Sequence, residues 1–152
     1  MLSSITSYPV RCMYGDGAEQ GGAASVHYLG DVSLTQFDGY AAALFSETAP
    51  LHSTEVLVAR SADGYLVESY SASGRQIQFC GHGALAAAFV VFEQLEPAAE
   101  LLSFSNHYQS WHAQRSAGGV IALLYSRPNV EECPLPDFAA AVLGAPSTAA
   151  AV

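Results

Sequence analysis

The quartet Cys80-Gly81-His82-Gly83 carries most of the chemistry that this sequence offers. A thiol and an imidazole two positions apart can exchange a proton, and the two glycines let a ligand approach the backbone closely. ALAAAFVVF follows, an apolar run without charge, so the quartet sits where a short strand turns into a buried helix. The first N–H groups of such a helix lack intrahelical acceptors and stand at the positive end of its dipole. Together they make a seat for a carboxylate or an oxyanion. The same field favours the anionic form of a thiol at Cys80 and the neutral form of an imidazole at His82. A plainer reading has Cys80 as one more buried cysteine and His82 as a capping or packing residue. Spacing alone leaves both open.

Other candidates are weaker. His107 and His112 are five apart, a spacing that brings two ligands together on neither a helix nor a strand, so no metal is expected. The three cysteines, Cys12, Cys80 and Cys133, are an odd number with no CxxC pair, which suits a reducing cytoplasm better than a disulfide framework. Gly15–Gly22 has the glycines of a phosphate loop but no Lys, and no helical pattern follows it. Trp111 and the tyrosines read as core or interface residues.

Composition narrows the class. The chain has 152 residues, 51% apolar and 12% charged, which describes one globular domain. Its five basic residues are all Arg and face fourteen carboxylates, for a net charge of −9. Nucleic acid and anionic membranes are therefore excluded as expected partners; a small anion held by backbone N–H groups is not. The opening MLSSITSYPVRC lacks the apolar core of a signal peptide, and Ala84–Phe92 is too short to span a bilayer. A cytoplasmic location is expected.

The elements that must position the quartet are mostly short strands. Tyr8–Met13 and Ala23–Leu29 read as strands around a Gly-rich loop, and Asp31 or Ser33 can cap a helix running to about Phe45. Thr54–Ala59 and Tyr65–Ser71 read as a hairpin turned at Asp63-Gly64. Gln76–Cys80 is a strand entering the helix Gly83–Gln94, which Glu96-Pro97 stops. Leu101–Ser105, Tyr108–Gln114 and Val120–Tyr125 complete the strands, and a short helix, Pro136–Leu143, follows. Because Val90, Val91 and Phe92 are consecutive, the central helix is apolar nearly all round and needs enclosure, Phe89 included. The fold class expected is α+β, a curled, mainly antiparallel sheet wrapped around that helix.

The segment Phe79–Phe92 resembles the CGH-A-x-L-A-A helix start of PhzF-like proteins, the phenazine-biosynthesis isomerase family with the two-lobed diaminopimelate epimerase fold. Ser53–Ala59, STEVLVA, resembles the family's SETAFLL strand at the family's interval from Cys80. Gln20–Ser25 stands where the family has a Gly-Asn loop. The likeness covers almost the whole chain but only the N-terminal lobe of a typical member, so residues 1–152 are expected to form a single lobe. It implies a site in a cleft between lobes, where helix N-termini meet the substrate's carboxylate. A carboxylate on the SETA strand there moves a proton between carbons without metal or organic cofactor.

Carried over by position, the resemblance makes Cys80, Gly81, His82 and Gly83 the anion-binding turn, with Gly81, His82 and Gly83 as substrate-binding residues; the thiol argument keeps Cys80 a catalytic candidate. The family's Glu falls on Thr54, which joins the substrate-binding set, and Glu55 follows as the candidate base. A one-residue slip flips a strand residue to the opposite face, so Glu55 reaches the cleft only through a bulge. Glu47, in a literal SETA upstream, is the other candidate, and either carboxylate has the plain reading of a solvated surface group. The resemblance implies a cofactor-independent isomerase or epimerase acting on a small carboxylic acid. A second copy would take the place of the missing lobe in a homodimer, as expected from a chain ending near the lobe boundary. A binder that kept the cleft without the base, or a remnant with no activity, are the other classes.

Overall fold

A computed structural model of the chain describes residues 5–12, 21–47, 54–126, 132–133 and 150–151. The strands are β1 (Thr6–Cys12), β2 (Gly22–Asp31), β3 (Thr54–Ser61), β4 (Gly64–Ser71), β5 (Gln76–Ile77), β6 (Leu101–Ser105), β7 (Ser110–Arg115) and β8 (Ile121–Tyr125). They form one sheet in the order β1-β2-β3-β4-β6-β7-β8, with β5 also on β4. A separate short pair joins β9 (Glu132–Cys133) to β10 (Ala150–Ala151). Helix α1 (Phe37–Glu47) follows a 3₁₀ turn, Leu34–Gln36, whose N-terminus Ser33 and Gln36 close with a capping box. Helix α2 (Gly81–Val90) runs on into a π-helical turn, Val91–Leu95. The expected helix Pro136–Leu143 lies outside the described residues.

Most neighbouring strands are antiparallel, but β2 pairs parallel with β3, and β4 with β6. Each parallel pair needs a crossover, and the two helices supply them. Both crossovers step the same way across the sheet, while strand direction reverses between β3 and β4. Crossovers of one hand on oppositely directed strands must lie on opposite faces. That is where the helices are. Val56 and Val58 of β3 pack in one core with Ala84, Ala86, Ala87 and Ala88 of α2; Leu57 and Ala59, pointing the other way, pack with Phe37 and Ala41 of α1.

The sheet curls around α2, and both edge strands, β1 and β8, touch it. Four buried alanines let the backbone settle close to the strands, while Val91 and Phe92 fill the wider end. The enclosure is incomplete. Phe89 is 45% exposed, contrary to expectation, because the sheet wraps one side of the helix and leaves a stripe through half-buried Leu85 and Phe89 uncovered. Among the described residues no helix is long and apolar enough to cross a membrane.

Candidate functional site

Cys80, in extended conformation, is the N-cap of α2, and no side chain caps the helix start. Its backbone carbonyl already accepts from Ala84 N–H. The N–H groups of Gly81, His82 and Gly83 are thus the ones that α2 itself cannot satisfy. The His82 ring reaches back to the sheet. Its Nε2 lies 2.9 Å from Thr54 Oγ1, and its Nδ1 lies 3.7 Å from Cys80 Sγ. Thiol, imidazole and threonine hydroxyl form one hydrogen-bonded run across the helix start. Thr54 opens β3 on the face that carries Val56 and Val58, the α2 side.

Two glycines make this closeness possible. A Cβ on Gly22 would meet the His82 ring at 3.0 Å, and one on Gly83 would meet Ser69 Oγ at 2.8 Å. Beside Cys80 stand three aromatic residues: exposed Phe79, and Trp111 and Tyr125, whose types alone suggest core or interface. Phe79 meets Tyr125 edge-on, and Tyr125 stacks on Trp111. Together with Cys80 they line a space of about 10 Å³, enough for a single water at most. Burial, with Cys80 as the next contributor, pushes the Tyr125 phenol up to about 12, so it stays protonated. Trp111 Nε1, also buried, has no hydrogen-bond partner. No local sequence signal marks Trp111 and Tyr125, because strands far along the chain bring them to Cys80.

The structure does not bring Glu55 to this cluster. β3 pairs without a bulge from Thr54 to Val58, so Glu55 points to the α1 face. There it is 1% exposed, and His27 Nε2 approaches its Oε2 to 2.6 Å. His27 Nδ1 in turn lies 2.7 Å from Ser7 Oγ. Neither a cleft carboxylate nor a solvated one, Glu55 belongs to a polar chain that runs from β3 through buried His27 on β2 to exposed Ser7 on β1. Glu47 is the last residue of α1, which packs on that same far face. Nearby, the fully buried Glu68 accepts from Gln76 Nε2 at 2.6 Å and from the His107 backbone at 3.1 Å, with His107 Nδ1 at 2.6 Å. His112 is occupied with Ser103. Among the described residues no three His, Cys, Asp or Glu side chains gather as a metal site would require.

No protein-family model and no curated protein matches the chain in sequence. Solved structures match in shape. A PhzF-family phenazine biosynthesis protein from Enterococcus faecalis is 20% identical with a TM-score of 0.62, over 91% of this chain and 50% of its own. A putative phenazine biosynthesis PhzC/PhzF protein from Clostridium difficile strain 630 is 17% identical with a TM-score of 0.67, over 96% and 53%. A predicted epimerase from Pseudomonas aeruginosa is 13% identical with a TM-score of 0.56, over 86% and 45%. The chain has the fold found in PhzF-family phenazine biosynthesis proteins, and it spans about half the length of the solved structures it resembles.

Proposed function

We propose that this chain forms one wall of a cofactor-free proton-transfer site of the isomerase or epimerase kind, acting on a small carboxylic acid. The hydrogen-bonded run from Cys80 through His82 to Thr54, at the open start of α2, carries this reading. The substrate's carboxylate sits on the N–H groups of Gly81, His82 and Gly83. When His82 Nδ1 takes the thiol proton, Nε2–H donates to Thr54 Oγ1 and the sulfur is left with the electron pair that removes the carbon-bound hydrogen. The C–H electrons pass into the carboxylate, where the helix-start N–H groups stabilise the added charge. Return of the proton to the opposite face, or to a conjugated carbon, completes the isomerisation. Electrons are neither gained nor lost by the substrate.

A second copy of the chain supplies the opposite wall in this reading. One observation supports it: the uncovered stripe on α2 at Phe89. An obligate pairing should bury on the order of 2,000 Å². Sedimentation equilibrium at low micromolar concentration should therefore return a dimer mass, and a folded monomer would remove the second wall.

The chemical test is hydrogen exchange. The chain is incubated in D₂O with a panel of amino acids and cyclic carboxylic acids, and loss of the α-proton signal is followed by NMR. Cys80→Ala should slow exchange by about 10²-fold or more while leaving ligand affinity within a few-fold. A second reading, a binder without turnover, is favoured by one observation: it is a threonine, not a carboxylate, that meets His82. Saturable binding with no exchange by the unaltered chain would select it. Neither binding nor exchange would end both.

A further inference from the structure

The polar chain on the far face of the sheet, away from Cys80, has the parts of an activated nucleophile. Ser7, His27 and Glu55 stand on the neighbouring strands β1, β2 and β3, with Ser7 directly opposite His27. Glu55 Oε2 lies 2.6 Å from His27 Nε2, and His27 Nδ1 lies 2.7 Å from Ser7 Oγ. Carboxylate and imidazole are buried, whereas Ser7 is exposed. A carboxylate can only accept, so Nε2 carries the ring hydrogen and Nδ1 is left bare to accept from the serine hydroxyl. A buried carboxylate, an imidazole it orients and an exposed serine are the combination that activates a hydroxyl for attack.

The strand pairing supplies a further part. β1 is the last strand of its sheet, and its register with β2 runs unbroken from Thr6 to Cys12. Pro9 sits inside that run, opposite Ser25. A proline has no N–H to give, so it fits the ladder only where that group would point away from β2. Ser7, two positions earlier, shares the orientation. Its pair with His27 is therefore of the close, non-hydrogen-bonded kind, which brings hydroxyl and ring together. Its own N–H points off the outer edge of β1, where no strand pairs among the described residues. The N–H of the nucleophile itself is one of the donors that stabilise the oxyanion in acyl transfer.

We propose that Ser7 is the nucleophile of a second site, one that hydrolyses small uncharged carboxylic esters. Ser7 Oγ bonds to the ester carbonyl carbon as its proton passes to His27 Nδ1, and the carbonyl electron pair moves onto oxygen beside the Ser7 N–H. The pair returns, the bond to the alcohol oxygen breaks, and His27 gives that oxygen the proton. Water then attacks the acyl-serine with His27 as base again, which releases the carboxylic acid and restores Ser7. Glu55 is a positioning residue that fixes the ring and its tautomer. A net charge of −9 disfavours an anionic ester. The site lies on the opposite face from Cys80 and does not depend on the proton-transfer reading.

The full chain is treated with diisopropyl fluorophosphate, which an activated serine attacks as it attacks an ester, and adducts are located by peptide mass spectrometry. Phenyl acetate hydrolysis is followed separately by NMR. Ser7 should be labelled faster than the other serines by about 10²-fold or more, and phenyl acetate should turn over. Ser7→Ala, at an exposed position, should fold as the unaltered chain does and lose both the adduct and the turnover that depends on it. Glu55→Gln can turn an amide hydrogen toward Nε2 and so reverse the tautomer. Its labelling should slow by about 10²-fold, far beyond any loss of folded protein, with the reversal visible in the His27 ring nitrogen shifts. A chain that only ties β1 to β3 would leave Ser7 as unreactive as any surface serine. No adduct at Ser7, unhydrolysed phenyl acetate, or full-rate labelling in Glu55→Gln would overturn the proposal.

Discussion

Glu55→Ala is expected to destabilise the fold by about 3–5 kcal/mol, the usual cost of breaking a buried polar pair from one side. The carboxylate is 1% exposed and its partner His27 is 3% exposed. Water cannot reach in to replace the missing oxygen at 2.6 Å from Nε2. His27 would be left with only Ser7, and the deleted side chain would leave a void on the α1 face of the sheet. Glu55→Gln keeps the shape and one acceptor, so its loss should be smaller, about 1–2 kcal/mol. Urea unfolding followed by circular dichroism reads both. The pair of variants also separates two roles for Glu55. A general base would lose turnover in Glu55→Gln out of proportion to any loss of folded protein, whereas a structural carboxylate loses the two together. An alanine variant as stable as the unaltered chain would show that the buried chain through His27 contributes nothing.

The two faces of β3 explain how much of the site could be read beforehand. The strand itself, its distance from Cys80 and the helix start were all visible, since apolar runs and Gly-rich junctions are local signals. Local signals also placed the hairpin before β5, and the bounds of β6 agree residue for residue. Which of Thr54 and Glu55 faces α2 depends on a parity that one bulge would reverse. The unbroken register assigns Thr54 to the His82 side. Longer-range facts were out of reach. The parallel pairings of β2 with β3 and of β4 with β6 depend on where the helices cross, and periodicity within a strand does not encode its partner. Tyr125 reaches Cys80 from 45 positions along the chain only because β8 closes the curl of the sheet. The exposure of Phe89 was hidden for a related reason: an apolar helix announces that it needs covering, not which side its own sheet leaves open.

Gly64→Ala is expected to cost about 3 kcal/mol or more, and the reason differs from the one its sequence suggests. Asp63-Gly64 reads as a turn dipeptide, yet the two-residue loop is Ala62-Asp63, and Gly64 already pairs with Ser61 as the first residue of β4. Its φ is +131°, a conformation that residues with a Cβ adopt only under strain of about 1–3 kcal/mol. A Cβ built there would stand 2.3 Å from the backbone oxygen of Ser103 on β6. Backbone cannot rotate aside as a side chain can, so β4 and β6 would have to part where they pair, Tyr65 with Phe104 and Leu66 with Ser105. That overpacking adds about 1–3 kcal/mol. Gly119 provides the control. It too has a positive φ, +78°, but nothing lies within 4 Å of its would-be Cβ, so Gly119→Ala should carry the left-handed cost alone, about 1–2 kcal/mol. Melting both variants beside the unaltered chain separates collision from strain. Equal losses would mean that the β4–β6 contact yields freely, and that the sheet is not held closed around α2 at that point.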